Sequence, residues 1–179
     1  MSARLRRARV ADAAAVAQVH AESWQVAYAG VLPRSYLATL RPEPLARYWA
    51  RRLRRGEPMH VATVRGALVG FSLVGAGQAQ SFGGRLGELF MLYVRPSHWR
   101  RGLGAALFAE SMALLEEAGA YWLHVWVLAE NRAAQGFYAG RGLRPDGARR
   151  RDVFDGERVE VERWAMALNR VWSPRDAGA

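Results

Sequence analysis

Hydrophobic and polar positions along this chain repeat with two periods, one typical of helices and one of strands. The strand-like runs predict seven strands, over Leu5–Arg9, Met59–Val64, Leu68–Val74, Glu88–Val94, Tyr121–Leu128, Leu143–Phe154 and Arg158–Leu168. Helical spacing predicts four helical regions, over Asp12–Tyr28, Ser35–Arg55, Gly102–Ala118 and Asn131–Ala139. The succession of strands and helices predicts an α/β fold.

Local signals define where several of these elements begin and end. Asp12 is expected to cap the first helix, and Pro42 and Pro44 interrupt the second helical region. Asp155-Gly156 predicts a tight hairpin between the last two strands. The final strand carries its apolar residues first on one face and then on the other, which predicts a bulge within it.

The length of 179 residues fits one compact domain, expected over residues 1–172, with a tail over Ser173–Ala179. Arginine supplies every basic side chain, and 26 basic against 16 acidic residues give a net charge of +10. Codon bias in a GC-rich bacterial genome explains such a composition, and a polyanionic partner is the alternative. Since the arginines are dispersed and match no recognition motif, we expect no nucleic-acid partner.

The absence of cysteine excludes a disulfide framework, a thiolate metal site and an acyl-cysteine intermediate. The histidines show no metal-binding spacing, so no metal is expected. The uncharged stretch Gly66–Gly84 lacks the apolar density of a membrane helix, and Asp12, Gln18 and His20 interrupt any signal-peptide core. These features predict a cytoplasmic protein without a membrane partner.

The segment Leu86–Leu107 carries the clearest chemical signal in the chain. An apolar strand reaches a proline, a basic turn with Gly102 and Gly104 follows, and an alanine- and leucine-rich helix begins at once. Free N–H groups at a helix start, flanked by Arg100 and Arg101, form an anion site suited to a pyrophosphate. The turn lacks the third glycine of a dinucleotide fingerprint and the Lys-Ser/Thr of a Walker loop.

A second signature, Leu123–Leu143, contains Asn131-Arg-Ala-Ala-Gln-Gly-Phe-Tyr138. In this order and spacing, the two signatures resemble those of the GNAT superfamily of N-acetyltransferases. The predicted order of elements also matches that fold over nearly the whole chain. The resemblance implies a mixed, mostly antiparallel sheet of about seven strands flanked by about four helices, with splayed central strands.

The resemblance also implies that acetyl-CoA is the cofactor. Backbone amides from Arg100 to Ala105 would hold its pyrophosphate, and the two arginines would add charge. Trp99 stands where the family usually has Gln or Arg, which favours packing over phosphate contact. The residues assigned to the cofactor are Met91, Leu92, Tyr93, Val94, Trp99, Arg100, Arg101, Gly102, Leu103, Gly104, Ala105, Asn131 and Tyr138.

Asn131 and Tyr138 share one stripe of their predicted helix. By resemblance, Tyr138 lies near the thioester sulfur, where a phenol can donate a proton to the departing thiolate. Glu88, at the start of its strand, is the best-placed carboxylate to deprotonate the acceptor amine. Backbone N–H groups near Met91–Tyr93 would stabilise the oxyanion, and transfer would be direct.

His20, Trp24 and Tyr28 form one stripe on the first helix. Together with Glu88 they are assigned to the acceptor site, although such aromatic stripes are usually core. His20 and a water chain remain alternatives to Glu88 as the base, while Trp49, Trp122, Trp126 and Trp172 are assigned to packing.

The sequence predicts transfer of an acetyl group to a primary amine of a small molecule or a protein. A catalytically silent acyl-CoA-binding module is the alternative, and the acceptor and the assembly, a homodimer among the options, stay open.

Overall fold

The computed structural model of the chain describes residues 3–78 and 85–168. Its strands are β1 Ala3–Arg7, β2 Met59–Val64, β3 Ala67–Ala76, β4 Leu86–Val94, β5 Trp122–Leu128, β6 Arg144–Phe154 and β7 Glu157–Ala167. Its α-helices are α1 Ala13–Ala27, α2 Arg34–Thr39, α3 Pro42–Arg54, α4 Leu103–Glu117 and α5 Arg132–Ala139. Trp172 and the predicted tail Ser173–Ala179 lie outside the described residues.

The seven strands form one mixed sheet in the order β1-β2-β3-β4-β5-β7-β6. Every neighbouring pair is antiparallel except β4 and β5. On the face that we call the α1 face, α1 and α3 cover side chains such as Phe71 and Leu73. On the opposite α4 face, α4 and α5 cover Leu89 and Leu123. The predicted fold class, a mostly antiparallel α/β sheet, is confirmed.

The predicted second helical region divides into α2 and α3, so the residues that the structure describes form five α-helices instead of the expected four. Pro42 begins α3, because the first turn of a helix tolerates a residue without an N–H group. Asp12 precedes α1 but does not cap it through its side chain. Its carboxylate instead accepts from the backbone N–H of Arg9 at 2.7 Å and pairs with the Arg6 guanidinium at 2.7 Å.

The prediction of a bulge in the last strand is wrong. β7 keeps one register against β5, whereas the shift between β6 and β7 lies between Pro145 and Arg149, in β6. The apolar residues change from one face of β7 to the other for a different reason. Val161 packs with α2 on the α1 face, and Trp164 packs on the α4 face. Each half of β7 therefore contributes to a different core.

A bulge that the sequence pattern did not predict occurs in β4. The register against β3 shifts between Leu73 and Val74, which leaves Phe90 without a partner on β3. Phe90 lies over Gly75, where an added Cβ would come 2.8 Å from the ring. Phe90 is 41% exposed, so the α1 face of β4 is partly uncovered at this position.

The two central strands separate soon after they meet. β4 and β5 pair at three positions, Leu86–Glu88 with Trp122–His124. Beyond these residues the strands diverge, which confirms the predicted splay and opens a gap through the middle of the sheet. Within the described part of the chain, no helix is long and apolar enough to cross a membrane.

Candidate active site

A cavity of about 690 Å³ lies where β4 and β5 diverge. The end of α1, β4, the turn before α4, β5 and α5 all contribute to its walls. With the exception of Arg101, every residue predicted to bind the cofactor lines it. The fold therefore brings two segments that are distant in sequence, the basic glycine turn and the Asn131–Tyr138 helix, to one cleft.

The turn before α4 presents backbone donors to this cavity. Arg100 and Gly102 both have left-handed backbone conformations, with φ values of +58° and +79°. The first carbonyl to accept within the helix is that of Gly102, from the N–H of Ala106 at 3.0 Å. The N–H groups of residues 103–105 consequently have no acceptor within the helix and form its positive end. This geometry fits a pyrophosphate group.

The two glycines of the turn are favoured for different structural reasons. An added Cβ at Gly102 would meet no atom within 4 Å, so only the left-handed backbone favours glycine there. An added Cβ at Gly104 would lie 3.1 Å from the Phe137 ring. A side chain at Gly104 would therefore crowd Phe137, whether or not it also approached the cavity. The Arg141 guanidinium covers that ring, 3.5 Å from its centroid.

Trp99 connects the turn to the end of β4. Its indole N–H donates to the backbone carbonyl of Val94 at 2.6 Å, and the hydroxyl of Ser23 donates to the same oxygen at 3.1 Å. The indole is 42% exposed at the cavity wall. These contacts favour the packing role that the sequence predicted for Trp99.

Asn131 serves as the N-cap of α5, as its residue type predicts. Its carboxamide oxygen accepts from the backbone N–H of Ala134 at 3.0 Å. Asn131 also lines the cavity, so capping and a position beside the cofactor cleft are compatible.

Three tyrosine side chains converge on the cavity. The hydroxyl oxygens of Tyr28 and Tyr93 lie 3.3 Å apart, and Tyr138 lines the same space. Burial raises the pKa of the Tyr138 phenol well above its usual value, the neighbouring Tyr28 raises it further, and Arg141 partly offsets the effect. Tyr138 therefore keeps its proton at neutral pH and can act as a proton donor.

One backbone donor of β4 also faces the gap. Since the N–H of Arg95 donates to Val69 on β3 at 2.8 Å, alternation along the strand directs the N–H of Tyr93 to β3 as well. The same alternation directs the N–H of Leu92 toward β5. Within the predicted group Met91–Tyr93, Leu92 therefore supplies the donor that faces the gap.

Glu88 lies at the point where β4 and β5 part. Its carboxylate is 3.1 Å from Nε2 of His124, the residue directly opposite on β5. The His124 side chain is 1% exposed and that of Glu88 16% exposed. Glu88 is not part of the cavity wall, but it lies next to the end of the gap on the α1 face and retains access to solvent.

The structure places His20 and Trp24 behind the cavity wall, and only Tyr28 of the predicted acceptor stripe lines it. His20 is buried, its ring stacks on Tyr93 with centroids 5.6 Å apart, and its Nδ1 accepts from the indole N–H of Trp49 at 3.3 Å. Burial lowers the pKa of His20 to about 4. His20 is consequently a neutral core residue above about pH 5.

The burial of His20 predicts a component of stability that depends on pH. Between about pH 6.5 and 4 the unfolded chain binds a proton that the folded chain does not, so the free energy of unfolding falls as pH falls. From pH 7 to 5 we expect His20 to account for a loss of about 2 kcal/mol. Urea titrations at both pH values should show a smaller loss in His20→Gln, and an equal loss would contradict the assignment.

Sequence reasoning missed several residues of the cavity wall, among them Phe90, Trp126 and Arg141. Trp126 was assigned to packing, although strand alternation puts it on the same face as His124. Arg141 lies two residues after the end of α5 at Ala139, beyond the predicted helix as well. Among the described residues, no cluster of three or more potential ligands could hold a metal ion.

Comparisons with known proteins agree with this geometry. A sequence model described as the acetyltransferase (GNAT) family matches residues 18–143. The chain is 30% identical over 128 residues to the uncharacterized N-acetyltransferase YuaI of Bacillus subtilis, covering 71% of this chain and 72% of that protein. The fold is similar to that of the PaiA N-acetyltransferase from Thermoplasma acidophilum, solved with coenzyme A, with a TM-score of 0.70, 21% identity and coverage of 90% and 98%. A GCN5-related N-acetyltransferase from Rhodopseudomonas palustris has a TM-score of 0.74, 24% identity and coverage of 94% and 97%.

Proposed function

Since the chain belongs to the GNAT acetyltransferase family and is an N-acetyltransferase, we propose that it moves the acetyl group of acetyl-CoA directly to a primary amine of a small molecule or a protein. The observation that carries this proposal is that one cavity joins a helix-start anion site to a buried, protonated phenol. Anion binding would hold the cofactor, and proton donation would assist departure of its thiolate.

Acetyl-CoA, when bound, supplies an activated acetyl thioester. The N–H groups of Leu103, Gly104 and Ala105 would hold its pyrophosphate, and Arg100 would add positive charge at the same wall. The free backbone edge of β4 would hold the extended arm of the cofactor by strand-like hydrogen bonds. These residues would bind and orient the cofactor.

Tyr138 would donate its phenolic proton to the departing sulfur atom. The backbone N–H of Leu92 would stabilise negative charge on the carbonyl oxygen. Both donors belong to rigid elements, α5 and β4, so their directions are set before substrate arrives. Such preorganised donors act most strongly in a site from which water is excluded.

We assign the base to Glu88, which would take a proton from the acceptor ammonium directly or through one water molecule. The assignment is supported by the position of Glu88 beside the end of the gap and by its contact of 3.1 Å with Nε2 of His124. His20 is a weaker candidate, because it lies behind Tyr93 and outside the cavity wall.

The direct test is release of free thiol from acetyl-CoA in the presence of a panel of primary amines. Amine-dependent thiol release together with the acetylated product would support the proposal. Binding of acetyl-CoA without turnover on a broad panel would instead favour a silent acyl-CoA-binding module.

The anion site predicts a specific effect of replacing Gly102. A Gly102→Ala change strains a left-handed position and should displace the N–H groups of residues 103–105. Loss of one charge-assisted hydrogen bond would weaken acetyl-CoA binding about tenfold. Isothermal titration calorimetry on the folded variant measures this loss.

Gly66 offers a matched control for Gly102. It has a φ of +81°, an added Cβ there also meets no atom within 4 Å, and it lies in the β2–β3 turn away from the cavity. Gly66→Ala should carry the same backbone strain and leave acetyl-CoA affinity unchanged. Equal affinities in the two variants would remove the turn from the cofactor site.

A further inference from the structure

The cavity has a second half, on the α1 face of the sheet, whose chemistry differs from that of the anion site. We call it the acceptor half, and its wall consists of Val26, Ala27, Tyr28, Phe90, Trp126 and Leu128. All six side chains are aliphatic or aromatic. The hydroxyl of Tyr28 is already engaged with that of Tyr93.

Phe90 is the most exposed aromatic ring of this half. The bulge in β4 puts it on the α1 face, and Gly75 leaves it room to lie against β3. Trp126 faces the same space from β5. The acceptor half therefore presents two aromatic rings from the two strands that form the gap.

The charged side chains that line the cavity are arginines. Within the described part of the chain, no Asp or Glu lines it, whereas Arg100 and Arg141 do. The guanidinium groups of Arg150 and Arg163 lie over Trp126, 4.4 Å and 5.7 Å from its ring centroid. Each of them pairs with its own carboxylate, Arg150 with Asp152 and Arg163 with Asp146.

Glu88 thus provides one carboxylate for one ammonium, and the rest of the acceptor half offers apolar surface. On this basis, and assuming the proposed function, we infer that the acceptor is a monoamine with an apolar body. A second ammonium on the acceptor would lose its hydration against apolar walls and meet no counter-charge. An apolar body would gain from burial against the two rings. Polyamines and aminoglycosides are consequently poor acceptors.

Two amines of equal length distinguish an apolar monoamine from a diamine as the preferred acceptor. Hexylamine and 1,5-diaminopentane have the same number of non-hydrogen atoms and differ only in a terminal methyl against a terminal ammonium. With the full chain and saturating acetyl-CoA, kcat/KM for thiol release should be at least about tenfold higher for hexylamine. An equal or higher value for the diamine would overturn the inference.

Variants of Phe90 test whether the acceptor half causes the preference. Phe90→Ala should lower kcat/KM for hexylamine about tenfold. The ratio of kcat/KM for hexylamine to that for 1,5-diaminopentane should therefore become smaller. Phe90→Glu supplies the missing carboxylate and should shift the ratio toward the diamine. Val153→Ala is the matched control, because Val153 is an apolar side chain 62% exposed on β6 and outside the cavity wall, and its ratio should stay that of the parent chain.

Calorimetry with acetyl-CoA distinguishes failure of this inference from failure of the proposed function. If acetyl-CoA does not bind, the transferase proposal fails first. If acetyl-CoA binds and the diamine reacts as well as hexylamine, or if neither of them reacts while another amine of the panel does, the inference about the acceptor is overturned while the transferase proposal stands. If acetyl-CoA binds and no amine of the panel reacts, the transferase proposal itself fails. An unchanged ratio in both folded Phe90 variants would also overturn it.

Discussion

Tyr138→Phe is expected to lower kcat about 100-fold, as for the loss of a general acid. The phenyl ring of the variant would keep the ring contacts that Tyr138 makes with Phe108 and Phe137, so the cavity wall should keep its shape. Acetyl-CoA affinity should therefore change little. Steady-state kinetics under conditions where chemistry limits the rate, together with calorimetry, measure the two effects separately.

Tyr48→Phe is a suitable control for Tyr138→Phe. Tyr48 lies on α3, where its hydroxyl accepts from Arg52, and it does not line the cavity. Its replacement removes a phenol without touching the proposed chemistry, and kcat should stay within about twofold. A similarly small change in Tyr138→Phe would reduce Tyr138 to a packing residue.

The elevated pKa of Tyr138 predicts how kcat depends on pH. Burial favours the protonated phenol, so the donor form persists above the usual tyrosine value of about 10. Raising the pH from 7 to 9 should consequently not remove activity through Tyr138. A loss of kcat in that range that disappears in Tyr138→Phe would contradict the predicted protonation state.

Glu88→Gln is expected to lower kcat/KM about 100-fold, as for the loss of a general base. The substitution keeps the size of the side chain and a hydrogen-bonding oxygen for His124, so it separates proton transfer from packing. The acidic limb of the pH profile of kcat/KM should flatten or shift in the variant.

His20→Gln should leave the acidic limb in place, since the pKa of His20 lies near 4 and its ring stacks behind Tyr93. If only the His20 change abolished the limb, the base would be on α1. If neither change affected it, ordered water would carry the proton and the free-amine fraction of the acceptor would set the pH dependence.

Much of this site is determined by local sequence. The glycine turn, the helix that follows it and the Asn131 cap each depend on conformational preferences within a few residues. Gly102 favours a left-handed backbone, and an asparagine before a helix favours capping. The two signatures also contain most of the residues that line the cavity around the turn and α5, because an anion site of this kind uses backbone atoms at a helix start.

The tertiary structure determines which side chains of those elements reach the cavity and which are buried in the core. Neither the unpaired Phe90 of β4 nor the end of β4–β5 pairing at Glu88 and His124 has a local signal, since both depend on the register between strands that are distant in sequence. The aromatic stripe on α1 was ambiguous for the same reason. Only its packing against β4 shows that Tyr28 reaches the cavity while His20 lies in the core.

The last strand illustrates the same division. Its sequence determined that the apolar residues change from one face to the other, and this pattern predicted a backbone bulge. In the structure the backbone of β7 keeps its register with β5, and the two halves of the strand are covered by different helices. A residue pattern records which side chains must be buried, whereas the position of the neighbouring elements determines what buries them.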